Sequence, residues 1–125
     1  MLTKSKAYSG FSVDDLQKAK AFYQEILGLK VVDNPMGLIE LHLEGRNKIL
    51  VYPKSDHVPA TFTVLNFPVK NIDEAVDELI SKGVSFEQYG GNIQTDKKGI
   101  SRHNGGPSIA WFKDPAGNIF SVIEE

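Results

Sequence analysis

The spacing of apolar positions changes period several times along the chain, and each change predicts an element. The strictest run is residues 38–44, with Ile39, Leu41 and Leu43 on one side and Glu40, His42 and Glu44 on the other, the two-residue period of a half-buried strand. Ahead of it, residues 7–13 alternate weakly, with Phe11 and Val13 opposed to Tyr8, Gly10 and Ser12. A helix follows, because Leu16, Ala19, Phe22, Tyr23, Ile26 and Leu27 fall on one stripe at helical spacing. Asp14 is placed to cap it with Gln17 as reciprocal partner, and Gly28 to stop it in the left-handed conformation. Residues 29–32 and 48–52 read as further strands, the latter with Ile49 and Val51 opposed to Leu50 and Tyr52.

The second half repeats the order. Residues 61–69 predict a strand, Asn71 and Glu74 a capping box, and Ile72, Ala75, Val76, Leu79 and Ile80 a helical stripe that Gly83 ends. Residues 111–125 predict strand, turn, strand: Pro115 presets the turn, Asp114 accepts a backbone bond, and Gly117 tolerates the closing conformation. In the last strand Phe120 and Val122 point one way, and Ile119, Ser121 and Ile123 the other. Laying Phe11-Ser12-Val13-Asp14-Asp15-Leu16 on Phe67-Pro68-Val69-Lys70-Asn71-Ile72 matches apolar for apolar at an offset of 56 residues. The chain is therefore two copies of one unit. We expect an α+β domain of two half-sheets closing around a pseudo-twofold axis: a first module over about 6–53, a linker over 54–60 and a second module over about 61–125. Residues 88–106 are long for a connection, glycine-containing and locally basic through Lys97, Lys98, Arg102 and His103, as a lid would be.

Composition removes several function classes. The absence of cysteine excludes disulfides, thiolate ligands and cysteine nucleophiles. A net charge of −2 gives no general attraction for nucleic acid or anionic lipid. The first residues lack the apolar core of a signal peptide, and no run approaches the roughly 18 apolar residues of a membrane span. A soluble cytoplasmic protein is the default expectation.

The motifs Phe11-Ser12-Val13-Asp14-Asp15-Leu16, Ala21-Phe22-Tyr23, Leu27-Gly28-Leu29 and Phe112-Lys113-Asp114-Pro115-Ala116-Gly117-Asn118, in that order and on a two-unit repeat, resemble the glyoxalase, bleomycin-resistance and extradiol dioxygenase superfamily, also called vicinal oxygen chelate proteins. The resemblance spans essentially the whole chain. It implies two βαβββ modules, mixed sheets curving around a cleft with helices outside, and commonly a homodimer. Metal-dependent members place His, Glu or Gln on the first and fourth strand of each module, donors suited to hard divalent ions. Those positions fall here at Tyr8, Leu50, Val64 and Ser121, which make no such site, so no cofactor is expected and metal-dependent chemistry is disfavoured.

Strand alternation gives the cleft lining as Tyr8, Gly10, Ser12, Leu50, Tyr52, Phe62, Val64, Asn66, Ile119, Ser121 and Ile123, with Glu40 and His42 as further candidates. Such an apolar, partly aromatic lining with a few polar handles suits a small molecule. The leading expectation is a metal-independent binding protein, similar to bleomycin-resistance proteins, holding a planar or aromatic ligand. The alternative is a lyase, isomerase or oxygenase using Glu40 with His42, or His103, as acid and base, with a divalent metal at a displaced site. A degenerate regulatory or partner-binding module is the third. For Glu40 and His42 a solvated sheet face is the preferred plain reading, and for His103, Lys97, Lys98 and Arg102 a solvated loop. Trp111 is assigned to neither face, His57 is read as an uninvolved linker residue, and Glu124 as a surface charge.

Overall fold

The computed structural model describes residues 1–45, 47–102 and 105–125, which cluster into two compact units, 1–59 and 60–125. Each unit has the same order of elements. The first runs β1 (Gly10–Val13), α1 (Leu16–Ala21), β2 (Lys30–Asn34), β3 (Leu38–His42) and β4 (Ile49–Pro53). The second runs β5 (Thr63–Val69), α2 (Ile72–Ser81), β6 (Ile100–Ser101), β7 (Ile109–Lys113) and β8 (Ile119–Glu124). The sheets are ordered β1-β4-β3-β2 and β5-β8-β7-β6. In both, the first and last strands pair in parallel and the other pairings are antiparallel. These are two βαβββ modules. No helix is long and apolar enough to cross a membrane, among the described residues.

The repeat extends to the caps. Asn71 accepts from the Glu74 backbone N–H at 3.1 Å, and Asp15 accepts from that of Lys18 at 3.1 Å. The first cap is therefore Asp15, not Asp14; Asp14 accepts instead from the Asp15 N–H. The first helix also departs from its predicted course. Phe22–Ile26 widens into a π turn, with Leu27 N–H bonding to the Phe22 carbonyl at 3.1 Å. This turn carries the fully buried Tyr23, whose ring meets Phe11 edge-on at 6.4 Å. Single π turns are a known way of re-aiming a few side chains without ending a helix.

One face of each sheet is core. Val13, Ile39, Leu41, Ile49 and Val51 are buried in the first unit with Ala19 of α1. In the second, Ile72 and Val76 of α2 are buried along with Ala110, Phe112, Phe120 and Val122. Phe112 and Phe120 pack edge to face at 5.7 Å, and each such buried ring contributes on the order of 1.5–3 kcal/mol. Glu124, read from the sequence as a surface charge, instead accepts the Ile72 N–H at 2.9 Å, where a carboxylate complements the start of a helix.

The β7–β8 turn is built on Asp114. Its buried carboxylate accepts from the N–H groups of Ala116 (3.0 Å) and Asn118 (2.9 Å) and from the Asn118 side chain (3.1 Å), while Gly117 takes a φ of 86°. Truncating it strands buried donors, each worth about 1–3 kcal/mol. Asp114→Ala is expected to lower the urea midpoint by that order of stability at an unchanged denaturant slope. A midpoint equal to that of the parent would show the turn to be held by Pro115 and Gly117 alone.

Candidate functional site

Pairing in the first unit decides which side chains share the sheet face opposite the core. Gly10 aligns with Leu50 and Ser12 with Tyr52, Glu40 lies across from Leu50, and His42 lies across from Lys30. Side chains two apart share a face. Gly10, Ser12, Glu40, His42, Leu50 and Tyr52 therefore stand together on it. Tyr8 lies outside the sheet, because β1 begins at Gly10 and not at residue 7. The last backbone bond there runs from Leu50 N–H to the Ser9 carbonyl (3.0 Å), and the Ala7 carbonyl is taken by the Asn47 side chain (2.8 Å). The Tyr8 ring is 54% exposed and carries the Lys48 ammonium 5.4 Å from its centroid.

A polar network crosses this face. Glu40 accepts from His42 Nε2 at 2.8 Å and from Asn34 Nδ2 at 2.9 Å, with Lys48 Nζ at 3.9 Å. The Asn34 hydrogen bond, then that of His42, holds the Glu40 carboxyl below its ordinary range. A carboxylate only accepts, so His42 carries its proton on Nε2 in this bond. A solvated face describes His42 but not Glu40, whose side chain is 13% exposed and bonded through both oxygens. Beside this network lies an open pocket of about 420 Å³ lined by Lys6, Tyr8, His42, Asn47 and Lys48. His57, read from the sequence as uninvolved, meets Ser12 Oγ through Nδ1 at 2.7 Å. The chain leaves the β1–β4 ladder at the bond from Lys54 N–H to the Val13 carbonyl (2.9 Å), and a turn closed by His57 N–H on the Lys54 carbonyl (3.1 Å) follows. No local pattern announces the contact with Ser12.

In the second unit Asn66, Ser121 and Trp111 form one row across three strands. Ser121 is fully buried and its hydroxyl donates to Asn66 Oδ1 at 2.5 Å, while Tyr89 packs edge-on against Trp111 at 5.4 Å. Ile119 and Ile123 share the Ser121 face. Phe62 lies just before β5 and is exposed. Val64 departs from simple alternation: Thr63 pairs with Ile119 and Leu65 with Phe120, so Val64 is the extra residue of a bulge. Counting along β5 therefore does not fix which way it points.

The family model for the Glyoxalase/Bleomycin resistance protein/Dioxygenase superfamily matches residues 7–122. The chain belongs to this superfamily. No curated protein sequence matches it closely enough to count as a relative. Solved structures similar to this superfamily member include a lactoylglutathione lyase from Agrobacterium tumefaciens (TM-score 0.68, 22% identity, covering 94% of this chain and 90% of that one). A fosfomycin resistance protein, FosX, from Listeria monocytogenes is similar at TM-score 0.71 and 16% identity, over 95% and 91% of the two chains. TnmS3, an antibiotic-binding protein from a Streptomyces species, is similar at TM-score 0.68 and 20% identity, over 94% of each chain. At these identities the likeness is one of fold.

The metal positions of the superfamily do not fit a divalent ion here. Tyr8, Leu50, Val64 and Ser121 offer two apolar side chains, a phenol packed under Lys48 and a hydroxyl committed to Asn66. Among the described residues no three His, Cys, Asp or Glu side chains gather, and Glu40 with His42 supplies two donors. His103 lies outside the described residues.

The segment expected to act as a lid is in large part docked. Lys98 bonds Asp73 (3.1 Å) and Asp77 (2.7 Å) of α2, and Arg102 bonds Asp73 (2.6 Å) and Asp96 (3.1 Å). Ile100 and Ser101 are buried as β6. Lys98 and Arg102 thus serve α2 instead of facing a ligand, and Lys97 is exposed, its carbonyl accepting from Gln88. Hydrogen bonds from Arg102 and then Lys98 lower the Asp73 pKa from 3.8 to about 2. A depressed carboxyl contributes its stabilisation above the unfolded value, so this tether holds above about pH 4 and is lost as pH falls toward about 2. Asp73→Asn at neutral pH is expected to speed amide hydrogen exchange at Ile100 and Ser101 several-fold and to leave β8 unchanged. Unaltered exchange there would mean that the apolar contacts of β6 suffice.

Proposed function

We propose that this superfamily member binds a planar or aromatic small molecule without a metal ion, the ligand's ring lying against the exposed aromatic side chains of the open sheet face. The observation that carries this reading is the pairing of accessible rings with a poor metal site. Tyr8 and Tyr52 are 54% and 40% exposed on the first unit's open side, Tyr8 lining a pocket, while the superfamily's metal positions hold side chains of the wrong chemistry. Exposed tyrosines provide apolar area with a polar tip, and ring contacts add about 0.5–1.5 kcal/mol beyond burial. That the antibiotic-binding TnmS3 has the same fold is consistent with a binding role. In a thermal-shift and fluorescence screen of polycyclic aromatic compounds, hits are expected to bind metal-stripped and untreated protein equally. Tyr52→Ala is expected to weaken them by about 1–3 kcal/mol. Hits that need a divalent ion, or that ignore Tyr52→Ala, would overturn this reading.

A second reading is supported by the Glu40–His42 bond at 2.8 Å, since a histidine oriented by a carboxylate is a recurrent general base. Asn34 fixes the carboxylate in turn. If a screened compound is also converted, His42→Ala is expected to slow turnover about a hundredfold or more, and Glu40→Gln to slow it less. Turnover undiminished in His42→Ala would remove the pair from the chemistry.

A further inference from the structure

The pocket beside Tyr8 carries a charge pattern that ring binding leaves unused. Its lining brings two ammonium groups, Lys6 and Lys48, together with the His42 imidazole, the Asn47 amide and the Tyr8 phenol, and no carboxylate. The carboxylate bonded to its His42, that of Glu40, is engaged through Oε2 by Asn34 and through Oε1 by His42, and is ionised. Lys48 Nζ stands 3.9 Å from Glu40, beyond a good hydrogen bond, and an ammonium has three protons to donate. Lys6 and Lys48 come from separate stretches, one before β1 and one before β4. The stretches are fastened to each other by the Asn47 amide on the Ala7 carbonyl (2.8 Å) and by Leu50 N–H on the Ser9 carbonyl (3.0 Å). The backbones carrying the two cations are thus tied in place before any ligand arrives, which lowers the ordering cost of binding.

We propose that this pocket is the anion-binding end of the ligand site, so that the ligand is an aromatic anion: its ring against Tyr8 and its carboxylate, sulfonate or similar group held by Lys6 and Lys48. This rests on the ring-binding reading and adds the ligand's charge to it.

The test uses two fluorescent dyes with one ring skeleton, 8-anilinonaphthalene-1-sulfonate and the neutral N-phenyl-1-naphthylamine, titrated into the protein. Two partly exposed ion pairs together imply about a tenfold tighter Kd for the sulfonate. Lys6→Met with Lys48→Met is expected to bring the sulfonate to the affinity of the neutral dye and leave the neutral dye unaffected. Lys6→Arg with Lys48→Arg is expected to keep the preference. Raising sodium chloride from 0.05 to 0.5 M, on the order of a threefold shortening of the screening length, should weaken only the sulfonate. Equal affinity for the two dyes in the parent protein, or a sulfonate preference that survives the double Met variant, would overturn the anion site. If both dyes bind equally and both weaken in Tyr52→Ala, ring binding stands while the anion site falls. If neither dye binds, both readings fall together.

Discussion

The parallel pairing of the first and last strand in each unit is the constraint on which the rest of the molecule depends. Parallel neighbours cannot be joined by a tight turn, so the chain must leave the sheet and return over one face. In both units it does so through a helix and then two antiparallel strands, which places β4 and β8 inside their sheets, each flanked on both sides. The helix covers one face, and that face takes the apolar alternates: Val13, Ile39 and Val51 in one unit, Phe112, Phe120 and Val122 in the other. The opposite face is left to the other alternates, and every candidate site residue on a regular strand stands there. Site and core are two consequences of one hydrogen-bonding pattern.

That dependence explains what could be read from the residues. The strict alternation of β3 fixes the faces of Glu40 and His42, and the 56-residue offset ties Asp15 to Asn71, the two residues that in fact cap. Applied consistently, the same offset rules out Asp14, whose counterpart is Lys70. Misplacements occur where local periodicity is broken by something non-local. The bulge at Val64 inserts a residue that no composition marks. The β1 start is set by the Asn47 side chain capturing the Ala7 carbonyl, a contact between residues far apart in the sequence. The fixed carboxylate of Glu40 rests on a hydrogen bond from Asn34, which lies across a turn and reads from sequence as a turn former.

The basic residues of the 88–106 segment show why charge in a loop is a poor guide to ligand charge. Lys98 and Arg102 meet carboxylates supplied by a helix whose polar face is crowded with Asp73, Asp77 and Glu78, and that helix uses them to hold down the two-residue edge strand β6. Asp96 completes the arrangement by accepting backbone N–H groups from Lys98 and Ile100 as well as the Arg102 side chain. Loop cations surrounded by anions of their own chain have little field left to offer. Lys48 lies in a different situation, 3.9 Å from a carboxylate already bonded by an amide and an imidazole.

The same distinction between closed and open polar groups separates the two sheets. In the second unit Ser121 and Asn66 answer one another across neighbouring strands, and the hydroxyl is fully buried. A ligand reaching that row finds Ile119, Ile123 and Trp111 for apolar contact and would have to break an existing hydrogen bond to gain a new one. In the first unit the network of Asn34, Glu40 and His42 is closed on the side of the carboxylate and open on the side of the lysines and the Tyr8 ring. Ammonium groups with protons left to donate, next to an accessible aromatic surface, discriminate by charge among ligands of similar shape. In the first unit, therefore, polar groups remain within reach of an accessible ring, whereas in the second the polar pair is already closed.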